Sequence, residues 1–202
     1  VGSEMCIRDR LIAFFGRVMY NYKEKYLFSA SVRYEGSSRF GDNHKWGTFP
    51  AVSLGWRISR EPWLKDAKWL NELKLRAGFG ITGNQEIGNY RSLSILRKGS
   101  SNFYYNKKWI STYEPGSNPN PDLRWEKKKE FNVGLDMSVL DNRLNVTVDY
   151  YNRRTKDLLY TYTVPVPPNL YPSKFANVGT IDNKGIEAVS YTHLRAHETG
   201  AY

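Results

Sequence analysis

The chain lacks a long hydrophobic run. Its longest apolar stretch, Leu11–Phe15, is five residues, where a membrane-spanning helix needs about 18–20. A helical membrane protein is excluded. A transmembrane β-barrel is not, because its strands are apolar only on alternate residues. Cysteine is nearly missing as well, and the one present, Cys6, sits close to an end and gives no guide to redox compartment. Acidic side chains are scarce beside basic ones, 20 against 30, for a net charge of +10. Aromatic residues are not scarce: 15 Tyr, 6 Trp and 9 Phe are spread through the 202 residues. That spread excludes intrinsic disorder.

Both ends differ in texture from the middle. Val1–Arg10 and Val189–Tyr202 resemble translated adaptor sequence of the kind found at the ends of assembled reads, and are read as non-native. Residues 11–188 remain as the segment to be folded. Two of the three histidines, His193 and His197, fall in the discounted tail. Their helical i, i+4 spacing before Glu198 is therefore not read as a zinc site. Acid and base balance within each end, so the whole excess of positive charge belongs to the middle.

The middle alternates with period two, the mark of strands with one apolar and one polar face. Tyr26, Phe28, Ala30, Val32 and Tyr34 oppose Ser29, Ser31, Arg33 and Glu35. Leu73, Leu75, Ala77, Phe79 and Ile81 oppose Lys74, Arg76, Gly78, Gly80 and Thr82. Similar runs begin at Ile12, Val52, Phe131 and Leu144, and Arg143 to about Val164 reads as one long strand. Weaker strands are expected over Tyr90–Arg97, Phe103–Thr112 and Phe175–Ala188, about nine in all. A helical turn is expected only near Pro62–Leu70. The chain is all-β.

Connections are expected in two sizes. Short or modest ones fall at Lys23–Lys25, Ser59–Asn71, Lys98–Ser101 and Asp141–Asn142. Longer ones fall at Gly36–Thr48, Gly83–Asn89, Glu114–Pro121 and Pro165–Lys174. Their alternation gathers the longer loops at one end of an antiparallel up-and-down sheet, the asymmetry of outer-membrane barrels. Aromatics near strand ends, and charged residues mixed with glycine on the opposite face, favour a lipid-facing barrel over a soluble sandwich.

Particular strings sharpen this reading. Gly36-Ser37-Ser38-Arg39-Phe40-Gly41 is followed by Trp46-Gly47-Thr48-Phe49-Pro50 and Ser53-Leu54-Gly55-Trp56-Arg57-Ile58. Then come Leu73-Lys74-Leu75-Arg76-Ala77, Thr82-Gly83-Asn84-Gln85 with Ile87-Gly88-Asn89-Tyr90, and Asn120-Pro121-Asp122-Leu123-Arg124-Trp125-Glu126. Phe131-Asn132-Val133-Gly134-Leu135-Asp136, Asp149-Tyr150-Tyr151, Thr155-Lys156-Asp157-Leu158-Leu159 and Asn177-Val178-Gly179 with Asn183-Lys184-Gly185-Ile186-Glu187 complete the series. In this order they resemble the barrel of SusC/RagA-type TonB-dependent outer-membrane transporters, from about Phe14 to Glu187.

The resemblance implies an internal piece of a 22-stranded transmembrane β-barrel, seen as a curved open sheet with two unpaired edges. It implies a place in the outer membrane and import of an oligosaccharide or peptide. The implied partners are a SusD-like lipoprotein, outer-membrane lipid, and the TonB complex acting through a plug domain outside these residues. No cofactor, metal or covalent chemistry is implied. The rival reading from another class is a soluble or surface-anchored all-β carbohydrate-binding module, and a passive porin is a closer one.

Three constellations stand out. Glu126 and Glu130, with Asp149 and Asp157, could suggest a glycosidase carboxylate pair, against the plainer reading of lumen polarity balanced by Lys and Arg. Lys127-Lys128-Lys129, Lys107-Lys108 and Arg153-Arg154 could suggest nucleic-acid binding. Consecutive strand residues point to opposite faces, however, so no continuous patch follows from them, and no nucleic-acid partner is expected. If Lys127 and Lys129 face outward with Phe131, they must lie near a membrane interface. The candidate ligand contacts are the aromatics placed in or beside the longer connections: Trp46, Tyr90, Tyr104, Tyr105, Trp109 and Tyr113. Girdle anchoring is the plainer role for them. His44 is expected in an exposed loop.

Overall fold

The computed structural model describes residues 9–64, 67 and 69–192; Cys6, His193 and His197 lie outside them. Eleven strands form in chain order: β1 (Leu11–Tyr22), β2 (Tyr26–Ser37), β3 (Trp46–Arg57), β4 (Leu70–Asn84), β5 (Leu96–Tyr105), β6 (Lys108–Pro115), β7 (Glu126–Val139), β8 (Leu144–Lys156), β9 (Leu159–Thr163), β10 (Ser173–Asn177) and β11 (Thr180–Thr192). Seven of them make one antiparallel sheet in the order β1-β2-β3-β4-β7-β8-β11, and β5-β6 and β9-β10 form separate two-stranded ribbons. The sheet is open, with β1 and β11 at its edges. No helix among the described residues is long and apolar enough to cross a membrane.

Register fixes the faces. Phe28 partners Leu54, Val52 partners Phe79, and Phe79 partners Phe131. Leu135 partners Val148, and Tyr150 partners Ile186. One face of the sheet is thus apolar from edge to edge, and its residues are largely exposed. Because the side-chain period is two, the other face collects Arg33, Glu35, Ser53, Arg76, Glu130, Asp136, Asp149 and Arg153. A sandwich would bury the apolar face under a second layer. Here nothing among the described residues covers it.

The connections sort by end. Lys23–Lys25, residues 58–69 and Leu140–Arg143 share one end, which holds the two tightest turns of the wall. Residues 38–45, 85–125 and 157–179 share the other. At the short-turn end Lys23, Glu24, Leu140, Asp141 and Asn142 carry positive φ and reverse the chain without glycine. Buried Glu61, beside a single 3₁₀ turn at Ile58–Arg60, holds this end together. Its carboxylate accepts from Trp56 Nε1 at 3.1 Å, the Tyr26 hydroxyl at 2.9 Å and Lys25 Nζ at 3.1 Å. The helical turn expected over Pro62–Leu70 is not there among the described residues. The 3₁₀ turn precedes it, and the described residues of 62–69 make isolated turns, with Leu64 N–H donating to Glu61 O and Ala67 N–H to Leu64 O.

Five further expectations are corrected. The strand expected over Phe103–Thr112 is two strands of a hairpin, reversed at Asn106 and Lys107, whose positive φ values of 49° and 61° suit a tight two-residue turn. Lys98–Ser101 is accordingly part of β5 and not a connection. Tyr90–Arg97 is mostly turn, with Tyr90 at positive φ and strand beginning only at Leu96. The long strand expected from Arg143 to Val164 breaks at Asp157, also at positive φ, into β8 and β9. The strand expected over Phe175–Ala188 divides before Gly179 (φ 87°) into β10 and β11. The wall therefore has seven strands, and four short strands belong to the loops. β11 itself continues to Thr192, pairing Val189 with Thr147 and Thr192 with Leu144.

Candidate functional site

The site is built where the long connections meet. Phe40, Phe49, Ile87, Leu123 and Trp125 form a buried cluster with Ile81, Leu159 and Phe175 packed against it. These residues arrive from the β2–β3 loop, β3, the segment after β4, the approach to β7 and the β9-β10 ribbon. Water, not lipid, surrounds such loops, so their apolar side chains gather inward. Trp125 is 1% exposed, with its ring 4.7 Å from that of Phe40 and 5.2 Å, edge-on, from that of Phe49. Its indole N–H donates to the Lys45 carbonyl at 3.0 Å. Gly41 closes the cluster: its N–H donates to Leu123 O at 2.9 Å, and a Cβ there would stand 1.7 Å from Pro121 O. Only glycine permits that backbone approach.

Three asparagines tie the loops to one another. The Asn118 side chain accepts from the N–H groups of Leu170 and Tyr171, both at 3.1 Å, and donates to Ser173 O at 2.9 Å. Asn120 donates to Phe175 O at 2.9 Å. Asn177 accepts from Arg124 N–H at 2.9 Å and donates to Arg124 O at 2.7 Å and Asp157 O at 2.9 Å. Each amide thus satisfies strand-edge groups that lack a strand partner, which is how irregular backbone avoids stranded donors. Sequence reading missed this core and brace. The signal lay in the Asn-Pro-Asn-Pro-Asp-Leu-Arg-Trp run, where Leu123 and Trp125 are isolated apolar residues in a polar stretch.

The candidate aromatics fall into three places. Tyr104, Trp109 and Tyr113 share one face of the β5-β6 hairpin, with Tyr104 and Trp109 directly paired and their ring centroids 5.1 Å apart. Tyr105 lies on the opposite face, stacked at 6.3 Å on Phe103, a residue the sequence reading did not single out. All four candidates on the hairpin are exposed. Trp46 stands apart on the apolar face of the wall, stacked 4.7 Å from Tyr34 as a girdle residue would be. Tyr90 is half-buried at the loop root, beside a cleft of about 170 Å³ lined by Phe40, Lys45 and Pro121. His44 is partly exposed in the β2–β3 loop.

On the polar face, carboxylates are matched by cations. Arg76 bridges Asp136 (2.7 Å) and Asp149 (3.0 Å), and Glu130 meets Arg153 (3.1 Å) and Lys128 (3.2 Å). Asp157 pairs with Arg124 at 2.7 Å, and Glu126 accepts from the Leu159 N–H. Glu126 and Glu130 do share a face, as their spacing requires, yet each is committed to a structural partner. This is the geometry of a wet, charge-balanced wall.

Comparison with known proteins decides what the wall belongs to. The family described as TonB dependent receptor-like, beta-barrel, matches residues 7–202. The chain belongs to that family. It is 44% identical over 178 residues to a TonB-dependent receptor of Formosa agariphila, covering 88% of this chain and 16% of the relative. It is 39% identical over 183 residues to TonB-dependent receptor SusC of Bacteroides thetaiotaomicron, covering 89% and 18%. Among solved structures, the RagAB peptide importer in its closed-closed state superposes with a TM-score of 0.82 at 31% identity, over 93% of this chain and 20% of that one. The siderophore receptor PirA of Pseudomonas aeruginosa, at 11% identity and a TM-score of 0.59, shares the fold. The chain spans less than a fifth of the length of these curated relatives.

As a TonB-dependent receptor barrel segment, the wall is an outer-membrane structure. Its apolar face meets lipid and its polar face the lumen. The short turns are periplasmic and the long-loop end extracellular.

Proposed function

We propose that this segment serves a TonB-dependent nutrient importer, as outer wall, lumen lining and part of the ligand-capturing mouth. One observation carries the reading. A hairpin with an exposed aromatic face (Tyr104, Trp109, Tyr113) rises from a loop unit locked by its own buried core, at the extracellular end of a polar lumen wall. Flat aromatic faces stack on sugar rings and on peptide side chains at small entropic cost. Oligosaccharide and peptide are the two cargo classes supported, the second by the likeness to a peptide importer. A SusD-like lipoprotein covers the same loops, and the TonB complex works through a plug that the charge-balanced lumen face receives. The ends, Val1–Arg10 and Val189–Tyr202, are proposed as non-native to this importer.

The test replaces Tyr104, Trp109 and Tyr113 together by Ala in the full-length protein. Stacking contacts of this kind each contribute about 0.5–1.5 kcal/mol beyond area burial, so capture should weaken at least about tenfold. Heat-modifiable gel migration, the sign of a folded barrel, should be unchanged. Unaltered uptake of both oligosaccharides and peptides by the triple variant would reject the hairpin as a capture surface.

A further inference from the structure

The lipid-facing side of the wall carries a cationic patch that only the register assembles. Lys127 partners Lys156, and Lys129 partners Arg154 across β7 and β8. Arg154 partners Asp182, and Asn152 partners Lys184 across β8 and β11. By parity, Lys127, Lys129, Arg154, Lys156 and Lys184 all share the face of Phe131, Tyr150 and Ile186, and all five are exposed. Asp182 is the single carboxylate among them, and Arg154 takes it, Nη2 to Oδ2 at 2.8 Å. Among the described residues, no carboxylate stands within ion-pair distance of the other four.

This arrangement is costly in isolation. Like charges set directly opposite on neighbouring strands destabilise a sheet, and two such pairs occur in adjacent outward rows. Position supplies the missing counterion. From Val139 to Phe131 the apolar face of β7 runs eight residues, or roughly 27 Å along the strand. Tilted by the usual ~40°, that stretch climbs roughly 21 Å, and Lys129, two residues on, reaches about 26 Å, the edge of the ~25 Å lipid-facing band of an outer-membrane barrel. Lys129 and Lys127 come just past it, at the extracellular edge. A shallow cleft of about 280 Å³ opens there, lined by Phe79, Phe131, Lys129, Glu130, Asn152 and Arg154. Glu130 is held there by Arg153 and Lys128, so Lys129 and Arg154 are the cations the cleft offers.

We infer that this patch binds a phosphate-bearing lipid of the outer leaflet, with the headgroup phosphates among Lys127, Lys129, Arg154, Lys156 and Lys184. The acyl chains lie along Phe79, Phe131, Tyr150 and Ile186. Phosphate oxygens accept charge-assisted hydrogen bonds from several cations at once and relieve the repulsion between the paired rows. The inference rests on the placement of the barrel in the outer membrane and stands whatever cargo the mouth captures.

The experiment uses the full-length protein in nanodiscs of phosphatidylcholine doped with a bis-phosphorylated glucosamine-based lipid, with bound lipid counted by native mass spectrometry. Near an anionic surface each lysine contributes roughly a fivefold factor. The combined Lys127→Gln, Lys129→Gln, Lys156→Gln and Lys184→Gln variant should therefore lose at least about tenfold in retained lipid. Lys128→Gln, on the lumen side, should lose nothing. The enzymatically dephosphorylated lipid should bind the unmodified protein as weakly as the phosphorylated lipid binds the variant. Equal retention by variant and parent, or equal retention of both lipids, overturns the inference. So does full displacement by millimolar inorganic phosphate, which would make the ligand a free anion. If the fourfold variant lacks heat-modifiable migration, the pair Lys129→Gln and Lys156→Gln is read instead, and a change below threefold is decisive against a lipid site.

Discussion

Trp125→Ala should unlock the extracellular loops and leave the wall intact. Removing a large buried aromatic costs about 3–5 kcal/mol through lost transfer energy and an unfilled cavity. Trp125 meets that case, being 1% exposed and packed between the rings of Phe40 and Phe49. The lost indole hydrogen bond adds little, because Lys45 O keeps a second donor, Ser37 N–H at 2.9 Å. That loss lies at the low end of the roughly 0.5–1.5 kcal/mol typical of a neutral hydrogen bond. Trp125→Phe separates the two contributions, keeping most of the packing and losing the donor. At 3 kcal/mol the local opening constant rises by roughly 100-fold. Hydrogen–deuterium exchange of the full-length protein in detergent reads this directly. Peptides covering 38–45, 85–95 and 117–125 should exchange about 100-fold faster in the Ala variant and less than tenfold faster in the Phe variant. Peptides covering 73–80 and 131–138 should not change. Equal loss of protection in the loops and the wall would refute the separation of the two units. A loop effect below threefold would refute the packing argument itself.

Two further predictions concern the short-turn end and the lumen face. Glu61 sits outside the membrane-spanning strands, and hydrogen bonds from Trp56, then Tyr26 and Lys25, hold its carboxyl below the usual range. A depressed folded pKa gives stability that is complete above the unfolded value of about 4.3 and fades as pH falls through the lower folded value. Exchange at the short-turn end should therefore accelerate below about pH 4 in the parent and lose that pH dependence in Glu61→Gln; an unchanged profile in the variant would remove Glu61 as its cause. In the lumen, Arg76→Ala leaves Asp136 and Asp149 facing one another without their shared cation. The three side chains are each about one-third exposed, so the expected cost is only about 1–2 kcal/mol. Asp149→Asn in the same chain should restore part of it in a urea titration followed by gel migration, and strictly additive effects would contradict the network.

The wall was legible in the sequence because period two survives any register. Phe28, Val52, Phe79, Phe131 and Tyr150 each announce an apolar face locally, and pairing only brings those faces together. Turns were less legible where no glycine or proline marks them. Asn106 and Lys107 reverse the chain inside a run of Phe, Tyr, Trp and Ile that reads as one strand, and Asp157 breaks β8 without an obvious signal. The candidate aromatics on the hairpin were found, but their division between its two faces depends on that unseen turn. The loop core was missed because its members lie far apart in the chain and follow no period. The cationic patch was discounted because Lys127, Lys128 and Lys129 alternate in direction. What joins Lys127 and Lys129 to Arg154, Lys156 and Lys184 is the neighbouring strands, which a linear reading does not place.

One chain here answers to two solvents. In the wall, hydrogen bonding is satisfied between strands, and Phe79, Phe131 and Tyr150 are left facing outward at 40% exposure or more. In water such a surface would be an aggregation liability; against lipid it is the stabilised state. Toward the extracellular end of the sheet the rule inverts, and Phe49, Leu123 and Trp125 turn inward to escape water. The change of rule occurs over the rows that carry Lys127, Lys129, Arg154 and Lys156, so the cations mark the boundary between the two solvents on the protein itself. A charge moved two rows toward the membrane centre, as in Val133→Lys, should cost about 2–4 kcal/mol. The same substitution at Lys127's row changes nothing, since lysine already stands there. Equal stability of Val133→Lys and the parent in a lipid bilayer would mean that this face does not meet hydrocarbon. The sheet would then need some other cover, which none of its described residues provides.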